Sequence, residues 1–345
     1  MKLSLGIGMM NAAGAFETPM EVVKRADELG YDTVWTAETY ASDAMTPLAF
    51  IAAQTKRIRL GTAVAQIDAR TPANLAMCAQ TIDALAGGGR MVLGIGFSGP
   101  QIVEGWLGRP WGKPTYRLRD IIAILRKIWA REYVEHHGRE IELPYKGPGS
   151  IGLGKPLKNI MYPMAPIPIY VGAGTPLNLK VTGECADGLL GLHLVPSMVK
   201  PVVRHIEEGL ALRTDGVTLK DFEIKGSVKV AITDDVRGAI DAAKPHIALY
   251  TGGMGAKSIN FHKNAMAERG FPEAAERLQE LFLAGRREEA IKAVPDEYVE
   301  QEALIGPPAR IKERWAAWRD SGMTMVSFSA RDVETVELMA KVAAA

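Results

Sequence analysis

The run Tyr170-Val171-Gly172-Ala173-Gly174-Thr175-Pro176 reads as a strand, a glycine-rich turn and the start of a helix. Amides freed at such a start, with the helix dipole behind them, attract an anion, and glycines let a phosphate approach the backbone closely. The run is not a GxGxxG fingerprint, and by itself it is equally a tight turn with no ligand. Glu38 closes an apolar strand, where it would act as a base or orient a cofactor edge, or else stand as a plain loop carboxylate. His193 falls at a strand end, positioned to move a proton or to serve as a hydrogen-bonded structural imidazole. Ser98, Gly99 and Gln101 surround Pro100 and offer hydroxyl and amide groups suited to a heteroaromatic ring; the competing reading is an irregular loop. There is no nucleophile-elbow serine, no HExxH and no CxxC, so the commonest hydrolase and metal readings fall away and no metal is expected. Redox chemistry would then need a cofactor.

These residues need elements to hold them. Pro19 and Glu21 mark the start of a first helix, with Thr18 as its N-cap and Val22, Ala26 and Leu29 on one face. Strands follow at 33–37, 58–65 and 91–95, separated by helices at 47–54 and after Thr71-Pro72, and a helix at 118–130 completes four strand-helix units. Residues 131–166 break the rhythm as an insertion or long loop rich in Gly and Pro. Strands then recur at 167–171, 188–192, 224–232 and 324–329, with an extended helical segment at 234–303. Eight strands alternating with helices argue for an α/β (β/α)8 TIM barrel, one domain over 1–345 with insertions; a doubly wound open sheet is the alternative. In such a barrel the strand C-terminal ends carry the chemistry. That adds Met9, Met10 and Asn11 after strand one, and Thr39 and Tyr40 after Glu38, as candidates to line a substrate pocket.

Lys and Arg number 41 against 40 Asp and Glu, a net charge of +1 with no basic stripe, so no nucleic-acid partner is expected. No apolar run reaches the length of a membrane helix. The first fifteen residues have a faint signal-peptide character, but the strand-helix alternation starting there favours a buried first strand. Two cysteines cannot make a disulfide framework, which fits a cytoplasmic protein.

Leu60-Gly61-Thr62-Ala63-Val64, Arg70-Thr71-Pro72-Ala73-Asn74-Leu75-Ala76, Thr81-Ile82-Asp83-Ala84-Leu85, Gly88-Gly89-Arg90 and Leu93-Gly94-Ile95-Gly96 resemble the signature of the luciferase-like flavin and deazaflavin oxidoreductases. The likeness extends to Gly306-Pro307-Pro308 and Ser321-Gly322-Met323. Phe97-Ser98-Gly99-Pro100-Gln101-Ile102-Val103-Glu104-Gly105-Trp106 is similar to the branch that uses the deazaflavin coenzyme F-420, a group like methylenetetrahydromethanopterin reductase.

The resemblance implies a luciferase-like barrel with an insertion. It also implies that Glu38 and Thr39 contact the ring, that a non-proline cis peptide between Ala63 and Val64 bulges against it, and that Ser98 to Gln101 flank it. Gly172, Ala173, Gly174 and Thr175 would take the cofactor phosphate. Trp106 and His193 would join the pocket wall. Sugar-phosphate dehydrogenases of the family have a catalytic histidine where this chain has Thr39, so glucose-6-phosphate oxidation is not expected. A reductase delivering hydride to an unsaturated or carbonyl compound fits better. The rivals are an FMN-dependent monooxygenase, a non-catalytic cofactor-binding protein, and a flavin-free barrel enzyme binding a substrate phosphate. A small-molecule substrate and a homodimer complete the expectation.

Overall fold

Short apolar runs bounded by Gly, Pro and Asp form strands that are buried on both faces, as strands of a parallel barrel must be. The structure, a computed structural model, describes residues 1–8, 14, 16–17, 19–38, 41–254 and 260–344. Eight parallel strands close a barrel: β1 Lys2–Gly6, β2 Thr33–Thr36, β3 Arg59–Thr62 with its continuation Ala65–Gln66, β4 Met91–Gly96, β5 Ile169–Ala173, β6 Gly188–Gly191, β7 Glu223–Ser227 and β8 Met325–Ser329. β3 pairs with β2 on one side and β4 on the other, and β8 lies between β1 and β7, so no edge is left. The open-sheet alternative is thereby excluded.

Side chains alternate along each strand. Leu5, Val34, Leu60, Leu93, Val171, Leu189, Ile224 and Val326 face outward into the large core beneath the helices. Trp35, Val92, Tyr170, Leu190 and Met325 fill the inside, with Ala63 and Val64 packed on them. At the N-terminal end of the barrel a charge network closes the interior, with Lys2 paired to Glu223 and Asp32, and Arg59 to Asp32. Toward the C-terminal end the inward positions shrink to Gly6, Gly96, Gly172 and Ser227.

Two elements differ from the sequence reading. The first helix is Met20–Glu28, with Pro19 rather than Thr18 at the cap position and no side-chain cap bond; Thr18 lies outside the described residues. The apolar run 224–232 is not one strand. It divides at Val228, after which Lys229–Ile232 pairs in parallel with Ala303–Gly306 instead of with the barrel. This pair is the stem of the 234–303 segment, whose helices Val236–Gly253, Phe261–Glu268, Pro272–Leu283, Arg287–Lys292 and Asp296–Glu302 enclose a second core around Ile247, Met266, Leu278 and Tyr298. The segment departs from the C-terminal end of β7, so it stands on the mouth side of the barrel. Residues 131–166 form a long irregular stretch with one small hairpin, His136–His137 against Glu142–Leu143. Among the described residues no helix is long and apolar enough to cross a membrane.

Candidate active site

The Ala63–Val64 peptide is cis, between the two parts of β3. Both residues are half-buried and lie at the mouth. Val64 lies across the ends of β4 and β5: a Cβ on Gly96 would come within 2.8 Å of Val64 Cγ2, and one on Gly172 within 2.9 Å of Val64 Cγ1. Real Cβ atoms do not approach so closely, so glycine at both positions is what lets the bulge lie flat over the interior. A planar ring could rest on such a surface.

Glu38 lies two residues after β2 and is buried. Its Oε1 accepts from the Gln66 amide at 2.7 Å and from Arg70 Nη1 at 2.7 Å, and its Oε2 from the Ala44 amide at 3.0 Å and Arg70 Nη1 at 2.9 Å. The Gln66 side chain returns a bond to the Glu38 carbonyl. The structure thus gives Glu38 a part that neither sequence reading contained, that of a clamp joining the loop after β2 to the residue just past the bulge. A carboxylate with both oxygens so occupied is poorly placed to receive a substrate proton.

His193 follows β6 in a left-handed conformation, φ 51°. Its Nδ1 lies 3.3 Å from Glu302 Oε1 and its Nε2 2.7 Å from His262 Nδ1. Burial opposes ionisation of Glu302, but the hydrogen bond from His193 and the charge of Arg269 outweigh it and bring its pKa down to about 2. A carboxylate ionised at neutral pH can only accept, so His193 donates from Nδ1. When both rings are neutral, His193 Nε2 then accepts from His262 Nδ1–H, and the free lone pair of the pair lies on His262 Nε2. Burial first, and then the neighbouring His193 and His246, push the His262 pKa down to about 4. Tyr250 packs edge-on against His262 with ring centroids 4.8 Å apart. Sequence reading missed His262 and Glu302 because both belong to the 234–303 segment, 69 and 109 residues from His193.

The other predicted residues lie around the same rim. Leu192, next to His193, donates its amide to the Ala173 carbonyl at 3.2 Å, placing the histidine beside the Gly172 to Thr175 turn. Thr175 is the N-cap of helix Pro176–Cys185, and its side chain makes no cap bond, so the first-turn amides are left to another acceptor. Ser98 is half-buried with its carbonyl accepting from Trp111 Nε1 at 3.1 Å; Gly99 caps the short helix Pro100–Gly105, on which Gln101 is exposed. Trp106, just past that helix, is 65% exposed. Met9, Met10, Asn11, Thr39 and Tyr40 lie outside the described residues. Beneath the bulge, Trp35 Nε1 is buried with no acceptor among the described residues, a donor that a polar ring edge would satisfy. A flat, polar-edged, anionic group such as a flavin or deazaflavin fits this donor set.

The description "Luciferase-like monooxygenase" matches residues 3–325 of this chain. The chain belongs to that family. It is 42% identical over 342 residues to a Mycobacterium tuberculosis protein assigned as a coenzyme F-420-dependent oxidoreductase, covering 99% of this chain and 98% of the relative. It is 28% identical over 310 residues to the 5,10-methylenetetrahydromethanopterin reductase of Archaeoglobus fulgidus, covering 88% and 86%. The fold of the coenzyme F-420-dependent tetrahydromethanopterin reductase from Methanopyrus kandleri superposes with a TM-score of 0.75 at 22% identity, over 99% of this chain and 97% of that one. The luciferase-like barrel anticipated from the sequence is therefore the fold of this family member.

Proposed function

We propose that the protein is a coenzyme F-420-dependent oxidoreductase that moves a hydride between the deazaflavin and a small organic substrate, working as a reductase. The full-length 42% identity to the F-420-assigned relative carries this reading. The cis bulge over Gly96 and Gly172 supports it by offering a surface for a ring. When bound, the deazaflavin supplies a two-electron hydride donor. The chain's own residues do the rest. Val64 and Ala63 support the ring, Ser98, Gly99 and Gln101 flank it, and the turn Gly172, Ala173, Gly174 and Thr175 takes the phosphate through backbone amides. Glu38 keeps the Gln66 side of the bulge in place by accepting the Gln66 amide, and Arg70 holds the carboxylate for it. His193 and His262 hold or move the proton that accompanies hydride transfer, with Glu302 steadying the charged form. Thr39 and Tyr40, with Met9, Met10, Asn11 and Trp106, complete the substrate pocket in this reading.

A homodimer in the cytoplasm remains part of the proposal. Ile151, Leu153, Leu157, Ile160, Tyr162 and Met164 are each at least 59% exposed along one insertion, more apolar surface than an isolated chain ordinarily leaves in water.

The test is anaerobic mixing of the enzyme with chemically reduced F-420 and a panel of enones, imines and ketones. Acceptor-dependent oxidation of the cofactor supports the reading. Turnover only with reduced FMN and oxygen would instead support a monooxygenase.

A further inference from the structure

Lys225 stands on the inward face of β7 and is 7% exposed. It pairs in register with Met325 of β8 and Leu190 of β6, both members of the interior cluster on which Ala63 and Val64 pack. It therefore occupies the layer directly under the bulge. Among the described residues its single hydrogen bond runs from Nζ to Ser227 Oγ, 3.0 Å away. Ser227 is the next inward position of β7 and is exposed at the mouth, so the ammonium reaches upward rather than toward the closed end.

A buried cation is costly unless an opposite charge faces it. The acidic groups within the barrel do not supply one. Glu223, two residues before Lys225 on the same face, pairs with Lys2 of β1 and accepts from the Thr324 hydroxyl. Asp32, preceding β2, pairs with Arg59 of β3 and Lys2. Two cations thus meet two anions, and Lys225 is the excess positive charge. From β5 Tyr170 presents a phenol that burial keeps protonated, and from β2 the Trp35 ring lies 5.6 Å from Nζ. Burial alone pulls the Lys225 pKa down to about 8, which still leaves it mostly charged at pH 7. Trp35 Nε1, in the same layer, is a buried donor with no acceptor among the described residues.

We propose that Lys225 complements the negative charge of the bound deazaflavin ring and holds that ring in its ionised form. This rests on the F-420 reading above. A hydroxylated deazaflavin is a weak acid whose anion spreads its charge over the ring oxygens. One ammonium beneath the ring stabilises that anion and offers the hydride-bearing system a fixed counter-charge that needs no reorganisation. Lys225 is a binding and tuning residue; it transfers no proton.

The experiment is a visible-absorption pH titration of F-420 held by saturating protein, for wild type, Lys225→Met and Lys225→Arg, with no substrate present. In wild type the bound ring should ionise about one pH unit or more below the free cofactor. Lys225→Met should bring the ionisation back to or above that of free cofactor, whereas Lys225→Arg should keep it low. Thermal melting serves as the folding control, and Lys225→Met should melt no lower than wild type, since it removes a buried charge with one neutral partner. Superimposable titrations for wild type and Lys225→Met, with F-420 bound to both, would overturn the proposal and leave the F-420 reading standing. Failure of wild type to retain F-420 at all would overturn both.

Discussion

At the scale of single residues, Glu38 separates a clamp from a base. Its carboxylate and the Arg70 guanidinium are 5% and 16% exposed, so deleting one leaves the other charged and buried. Breaking such a pair is strongly destabilising. Glu38→Ala is expected to lower unfolding stability by about 3 kcal/mol, read by urea titration, with Glu38→Gln losing less because an amide oxygen still accepts from one backbone amide. A stable Glu38→Gln variant with turnover abolished would mean instead that the carboxylate acts on the proton. The sequence placed Glu38 at the rim but could not show this part, since its partners Ala44, Gln66 and Arg70 come from three separate segments. His193 was visible for a simpler reason: an imidazole at a strand end of a barrel stands out. Its partners His262 and Glu302 did not, because nothing local marks where a helical segment folds back.

At the scale of elements, the surface offered to the ring depends on the contact between the β3 bulge and the ends of β4 and β5. Gly96→Ala puts a methyl 2.8 Å from Val64 Cγ2, and backbone or side chain must move. Overpacking of this kind costs about 1 to 3 kcal/mol. The variant should fold, melt lower, and bind F-420 at least tenfold more weakly because the displaced Val64 tilts the surface under the ring. A variant with wild-type affinity would separate the bulge from cofactor binding. The barrel strands were legible because parallel strands buried on both faces are apolar without interruption. That same property hid the division at Val228: residues 224–232 keep an apolar pattern while the chain leaves one sheet and enters another. The cis peptide has no signature in the composition of Ala63 and Val64 and was reached only through family resemblance.

At the scale of the molecule, the 234–303 segment with its own core touches the barrel rim through His193, His262 and Glu302. The folded pKa of His262, about 4, lies below its ordinary 6.5, so between those values the unfolded chain binds the proton and the native state resists it. Glu302, about 2 against an ordinary 4.5, adds stability above its unfolded pKa and loses it as pH falls toward 2. Both act in one direction. Stability should fall on acidification from pH 6.5 to 4 by on the order of 1 to 2 kcal/mol from the histidine, discounted for its partial exposure. His262→Gln should flatten that slope in melting temperature against pH; an unchanged slope would place the acid sensitivity elsewhere. The exposed apolar run of the 131–166 insertion makes a second molecular-scale prediction. Wild type should sediment as a dimer, and Ile160→Asp combined with Leu153→Asp should shift it toward monomer without lowering helix content. A monomeric wild type would contradict the proposed interface.

The central claim is that this barrel mouth is built for a deazaflavin, and a fluorescence titration of the purified protein with coenzyme F-420 and, in parallel, with FMN tests it most directly. Micromolar or tighter binding of F-420 and at least tenfold weaker binding of FMN are expected. Preferential binding of FMN, or binding of neither, would contradict it.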